Sequence, residues 1–253
     1  MDPENPPGFV VRTEAQKAAW ENGYRLERGI SGGWLQYSST SAPGSIWIGG
    51  CSGKGPWLLS IDHSGVAHEI GVSSQLPISG PGLLTLSFPT LPDLYAALDR
   101  IYKLSVSLPD APLERFRKAT AKLPRTTEAE RLIVQRIGQD IFRDALMDYW
   151  GGCCPVTGIT EPALLRASHI VPWADCSDEE RLDVHNGLLL SALWDAAFDR
   201  GLVSFADDGT VLASGKLGTK EREALGLSSL PKLSGLREQH CSNLAQHRVR
   251  NGF

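Results

Sequence analysis

Apolar positions recur at helical spacing in some stretches of this chain and run together or alternate in others, and the two patterns separate predicted helices from predicted strands. Ala15, Ala18, Ala19 and Trp20 mark the buried face of a helix over residues 13–22, with a Thr13–Gln16 capping box and a stop at Gly23. Leu94, Leu98, Ile101 and Tyr102 mark a second helix over residues 91–106, with Thr90 as cap and Pro92 in its first turn. A longer stripe, Leu132, Ile133, Ile137, Ile141, Phe142, Ala145 and Leu146, predicts a helix over residues 127–150 that opens through a Thr127–Glu130 capping box. Trp194, Ala197 and Phe198 predict a short helix between a Ser191 cap and Gly201, and residues 236–248 predict a closing helix after a helical turn at 220–225. Between the first two helices, WLQYSS, SIWIGG and WLLSID are broken by GG, PG, GKGP and HSG, which reads as strands joined by tight turns. Residues 164–171 and 187–190 are apolar runs of strand length on either side of a polar loop at 175–183, and residues 202–213 read as a hairpin turned at Asp208-Gly209.

These elements divide the chain. Residues 1–8 are acidic and proline-rich and are expected to be a disordered tail, and residues 9–107 form a small α+β module. Residues 108–126, with prolines at both ends, read as a basic linker, and residues 127–253 as a second domain. The expected fold class is α+β throughout.

The chemistry concentrates between Arg166 and Ser204. Asp195 and Asp199 stand four apart on the short helix and so point the same way. Two like charges so placed repel unless a cation lies between them, and a hard, oxygen-seeking ion such as Mg²⁺ accounts for the pair. Strand, loop, strand and helix form a compact way to bring His169, Asn186, Asp195 and Asp199 to one place.

Four ordered pieces, CPVTG at 154–158, ASHIVPW at 167–173, NGLLL at 186–190 and DAAFDRG at 195–201, follow a helix that carries RIGQDIFRDALMDYWGGC at 136–153. Together they resemble the HNH endonucleases, in the bacterial branch that resembles restriction enzymes, over the second half of the chain. The resemblance implies a ββα-metal finger flanked by helices in which His169 is the general base and Asn186 braces the finger. It also implies that Asp195 and Asp199 are metal ligands for Mg²⁺ or Mn²⁺, and that the substrate is double-stranded DNA. Many HNH sequences place an Asp or His just before the base; here that third ligand position holds Ser168, a weak ligand. Since such fingers nick one strand each, double-strand cleavage would imply a homodimer or two successive hits.

Composition narrows the rest. With 42% hydrophobic and 21% charged residues in 253, the chain reads as an ordinary soluble protein with no membrane-spanning run and no signal peptide. Five cysteines without a CxxC argue against a disulfide framework and against a four-cysteine structural zinc site, and fit a reducing cytoplasm. A net charge of −4 excludes indiscriminate coating of DNA but not local contact. The densest basic cluster is Arg115, Arg117, Lys118, Lys122 and Arg125, followed by Arg136 and Arg143 on one helix. These residues read either as phosphate contacts or as a solvated face. Arg200 and His185 are further candidates for DNA contact, His185 with a structural role as the alternative. Trp34, Tyr37, Trp47 and Trp57 could stack on a base, as readers of modified DNA do, or form the core of the first module. His63 and His68 have poor metal spacing, GGCSGKGP lacks the end of a P-loop, and His240 and His247 read as packing residues.

Two functions from different classes follow. One is a metal-dependent DNA endonuclease, restriction-like and modification-dependent, guided by the first module. The other is an HNH-type DNA-binding protein with weak or lost catalysis, and beyond both stands a purely structural ββα protein.

Overall fold

The computed structural model describes residues 1–71, 78–124 and 126–253 of the chain, so Arg125 lies outside the described residues. The chain is α+β and forms two compact units, Met1–Ala111 and Pro112–Phe253.

The first unit runs α1 (Phe9–Glu21), β1 (Leu26–Ser31), β2 (Trp34–Ser38), β3 (Ser45–Gly50), β4 (Trp57–Ile61), α2 (Ser64–Ile70), β5 (Leu84–Phe88) and α3 (Leu91–Ser107). The five strands form an antiparallel meander in sequence order. One face is apolar. Leu35, Tyr37, Ile46, Ile48, Leu59 and Ile61 are all buried there, and α1 and α3 pack on the sheet. Alternation puts Trp34, Gln36, Trp47 and Gly49 on the opposite face. Thr90 caps α3 as its sequence suggests, accepting from the Asp93 N–H, and Leu94, Leu98 and Ile101 are buried.

Three expectations change here. The first helix begins at Phe9 rather than Thr13, with Gly8 as its N-cap; Val11 joins the buried face and Trp20 is 55% exposed. The HSG turn is the start of α2, where His63 Nδ1 accepts from the Val66 N–H at 3.2 Å. The segment 1–8 touches the sheet: the Glu4 N–H donates to the Gly50 carbonyl at 2.8 Å, and Pro3 covers Gly49. A Cβ at Gly49 would lie 2.7 Å from Pro3 Cβ, so the bare glycine is what lets the tail approach.

Helix α4 (Asp110–Thr120) begins two residues before the boundary, and the second unit continues with α5 (Glu128–Tyr149), β6 (Leu165–His169), α6 (Asp178–Leu182), β7 (Gly187–Ser191), α7 (Ala192–Asp199), β8 (Val203–Phe205), β9 (Val211–Ala213), α8 (Thr219–Ala224) and α9 (Glu238–Asn251). The expected linker is largely helical: α4 carries Pro112 in its first turn, where proline is tolerated, and buries Phe116. The Thr127–Glu130 capping box is formed in both directions. The buried face of α5 differs from the predicted stripe, however. Leu132 and Ile133 are 57% and 54% exposed, while Val134, Gly138, Ile141, Phe142, Ala145 and Leu146 are covered.

Gly138 shows why that face was chosen. A Cβ there would stand 2.7 Å from Trp173 Cη2 and 3.3 Å from Phe116 Cε2, so an indole rests directly on the helix backbone. Helix α9 packs on β8 and on the turn at 184–186. His247 stacks on Phe198 at 4.0 Å; its Nε2–H donates to the Phe198 carbonyl and its Nδ1 accepts from the Ser204 hydroxyl.

Candidate active site

β6 and β7 pair antiparallel, with Ser168 opposite Leu188 and His169 opposite Gly187. α7 follows β7 without a break, its N-cap at Ser191 and Gly201 in the left-handed region at φ 61° just past its end. Consecutive residues of a strand point to opposite sides, so Ser168 and His169 flank the end of β6 from two directions although their Cα atoms are only about 3.8 Å apart.

His169 is held on three sides. Its ring stacks on Phe142 of α5 with centroids 3.9 Å apart and planes 18° from parallel, and Trp173 meets it edge-on at 5.4 Å. Its Nε2 lies 2.9 Å from the carbonyl oxygen of Arg181. A carbonyl can only accept, so Nε2 carries the proton and Nδ1 keeps a free lone pair. Burial pushes the imidazole below its ordinary value; the bond to the Arg181 carbonyl works against this, and the nearby Arg181 charge adds to it. At neutral pH the ring is therefore a neutral base with a defined tautomer.

Asn186 is buried and ties down the loop between the strands. Its Oδ1 accepts from the Val171 N–H at 2.8 Å, and its Nδ2 donates to the Glu180 carbonyl at 3.1 Å and lies 3.4 Å from Cys176 Sγ. Within that loop α6 is fixed by a reciprocal Ser177–Glu180 capping box. The carbonyls of Glu180 and Arg181, near the C-terminal end of α6, have no partners within so short a helix; Asn186 and His169 occupy them.

The other side of the strand carries oxygen. Ser168 is buried and donates its hydroxyl proton to Asp195 Oδ1, which joins the strand to the first turn of α7. Asp199 is exposed at the end of α7, and its charge acts on His247. No group of three or more His, Cys, Asp or Glu able to hold a metal occurs among the described residues. Two carboxylates and a hydroxyl are nevertheless the hard donors that Mg²⁺ accepts, and that ion is commonly bound by one or two carboxylates with waters and a substrate phosphate completing its shell. The donor types suit such an ion; Ser168 and Asp195 are in contact, and Asp199 stands about one turn further along α7.

The remaining candidates take varied places. Arg115 pairs with Asp144, Arg117 with Glu179, Lys118 with Glu114 and Arg136 with Asp140, all on exposed surface. Arg200 is exposed at the end of α7. Arg143 departs from the DNA-facing expectation: its guanidinium donates to the carbonyls of Leu165 and Pro162, both at 2.8 Å, and fastens the start of β6 to α5. His185 is packed between Tyr149 and His240 with Nδ1 on the Asp183 carboxylate, a bracing position rather than a phosphate contact. Tyr37 and Trp34 are also corrected. Tyr37 is 3% exposed on the helix-covered face, its hydroxyl pushed up to about 12 by burial, and Trp34 is buried at Gly49. Trp57 belongs to the same core, whereas Trp47 stays half-buried on the other face between Gln36 and Ser60.

A two-stranded ribbon running into a helix, with a half-buried histidine at the strand end and oxygen donors from strand and helix, defines a ββα finger. Residues 154–206 match the family model for HNH endonucleases, so an HNH endonuclease domain is present in the C-terminal region. That domain points to a nuclease acting on DNA, and HNH nucleases generally use divalent metal ions. No curated protein matches the chain. No helix among the described residues is long and apolar enough to cross a membrane.

No sequence signal singles out Phe142, Trp173 or Arg181 as parts of the site. Phe142 carried an apolar-stripe signal and Trp173 lay within a quoted motif; Arg181 carried none, since its contact to the base is made by main-chain oxygen.

Proposed function

We propose that this protein is a metal-dependent DNA endonuclease, with the second unit hydrolysing phosphodiester bonds and the first selecting the DNA. The observation that carries the proposal is the geometry of His169: half-buried against Phe142 and Trp173, and committed through Nε2 so that Nδ1 is available to take a proton from an attacking water. Ser168 and Asp195 present oxygen donors on the other side of the same strand end. A divalent cation, when bound, supplies charge to offset what builds on the phosphate oxygens and the leaving group. Asn186 acts by fixing the loop whose carbonyl orients His169.

The reading extends to a restriction-type role in the cytoplasm, with specificity drawn from a DNA modification sensed by the first unit, where Trp47 is the aromatic placed to meet a base. Exposed Arg115, Arg117, Lys118, Arg136 and Arg200 would exchange their present partners or solvent for phosphates. Double-strand cleavage would use two copies of the chain.

A panel of plasmids carrying different base and backbone modifications, with Mg²⁺, Mn²⁺ or chelator, tests this. Cleavage that needs metal and is lost in His169→Ala while DNA binding persists supports it; cleavage indifferent to both overturns it. One observation favours the second reading, a DNA-binding protein without catalysis: the third ligand position holds Ser168, and its hydroxyl is directed at Asp195. On that reading DNA shifts the melting temperature but no metal produces nicks.

A further inference from the structure

The side chain of Arg181 makes three contacts, all within the loop that follows β6. Its Nε donates to the Trp173 carbonyl at 2.9 Å, its Nη1 donates to Asp178 Oδ1 at 3.0 Å, and the guanidinium carbon lies 5.1 Å from the Trp173 ring centre. The indole under it is the one that touches His169 edge-on and rests on the bare backbone at Gly138. The main-chain oxygen of the same residue accepts from His169 Nε2. One residue therefore grips both the acceptor of the imidazole proton and the ring that bounds it.

We infer that Arg181 is a positioning residue for the general base: its guanidinium, locked to Trp173 and Asp178, fixes the carbonyl that holds His169 in the Nε2–H tautomer. The inference rests on His169 being the base. The alternative explanations are weaker. A surface ion pair with Asp178 would contribute little and would not require the Trp173 carbonyl or the stacked ring. A phosphate contact would leave the fork free, whereas two of its nitrogens are already committed within the loop. Without the fork, α6 keeps its cap but loses its tie to Trp173, and the carbonyl is free to drift. A misplacement of about 1 Å at a reacting group costs on the order of 100-fold in rate.

The test pairs kinetics with a readout independent of cleavage. In Arg181→Ala the expected result is a kcat lower by roughly 10–100-fold at nearly unchanged KM. The ring-nitrogen NMR signals of His169 would change from one Nε2–H tautomer to a mixture. Arg181→Lys, which keeps the charge and one donor but not the fork, should fall between the two, and it decides the question if the alanine variant does not fold. An Arg181→Lys protein that matches wild type in both rate and tautomer overturns the inference, as does an alanine variant that loses rate with its tautomer unchanged. Failure of the nuclease reading looks different: the wild-type protein would not cleave under any metal, yet its His169 tautomer and the response to substitution would still be measurable.

Discussion

The two sides of the β6 strand end are built to different standards. On one, His169 is enclosed by a stacked ring, an edge-on indole and a carbonyl, each held by a further contact from α5, α6 or Asn186. On the other, one hydroxyl leans on one carboxylate, and the second carboxylate stands exposed at a helix end. A general base needs a single tautomer and a fixed direction before any substrate arrives, because a neutral imidazole with the wrong nitrogen protonated cannot accept. A cation such as Mg²⁺ tolerates a sparse protein shell, since water and the phosphate complete it. On the proposed function, the protein fixes the geometry of the base, and water and substrate complete the shell of the metal.

Four measurements break or sharpen this contrast. The largest effect is expected from His169→Ala, which should lower the cleavage rate by about 10²–10⁴-fold, the usual contribution of general-base catalysis, and leave DNA affinity intact. Ser168→Asp adds a carboxylate to the sparse side. We expect the metal concentration for half-maximal activity to fall about tenfold, with a melting temperature that drops in chelator and rises in Mg²⁺, because two acids in contact repel until a cation joins them. Gly138→Ala acts on the crowded side from a distance. Alanine is a better helix former, yet the Cβ would press on Trp173, and overpacking of this kind costs about 1–3 kcal/mol, so the melting temperature should fall rather than rise.

The smallest effect is in pH. Burial depresses both His169 and His247, so each takes up a proton more readily unfolded than folded. Stability is then full above the ordinary histidine value near 6.5 and is lost as pH falls through it toward the depressed folded values. Melting curves from pH 7.5 to 5 should decline, and His247→Gln should decline less steeply than wild type.

Much of this site was legible because its pieces are local. A cap at Ser191, a glycine at 201 and two acids four apart describe α7 without reference to anything else, and the Thr127–Glu130 box describes the start of α5. What escaped depends on partners remote in sequence. The prolines around residue 112 read as a break, although the first turn of α4 accommodates one. Leu132 and Ile133 fit the helical period as well as Val134 does; which face is covered depends on Trp173 and Phe116. Trp34 and Tyr37 were grouped by type, but three residues apart in a strand they face opposite ways, and only Trp47 keeps exposure on the open side. Arg181 could not be found at all, because the oxygen it offers His169 is common to every residue.

The ring of Phe142 also occupies the volume above Gly187, where a Cβ would lie 2.5 Å from its Cζ and 2.9 Å from Leu146. Positions 142 and 187 are thus bound in their permitted variation. A homologue that carries any larger residue after the finger's asparagine should carry a smaller one at the position of this phenylalanine, and would have to find another flat surface for its histidine.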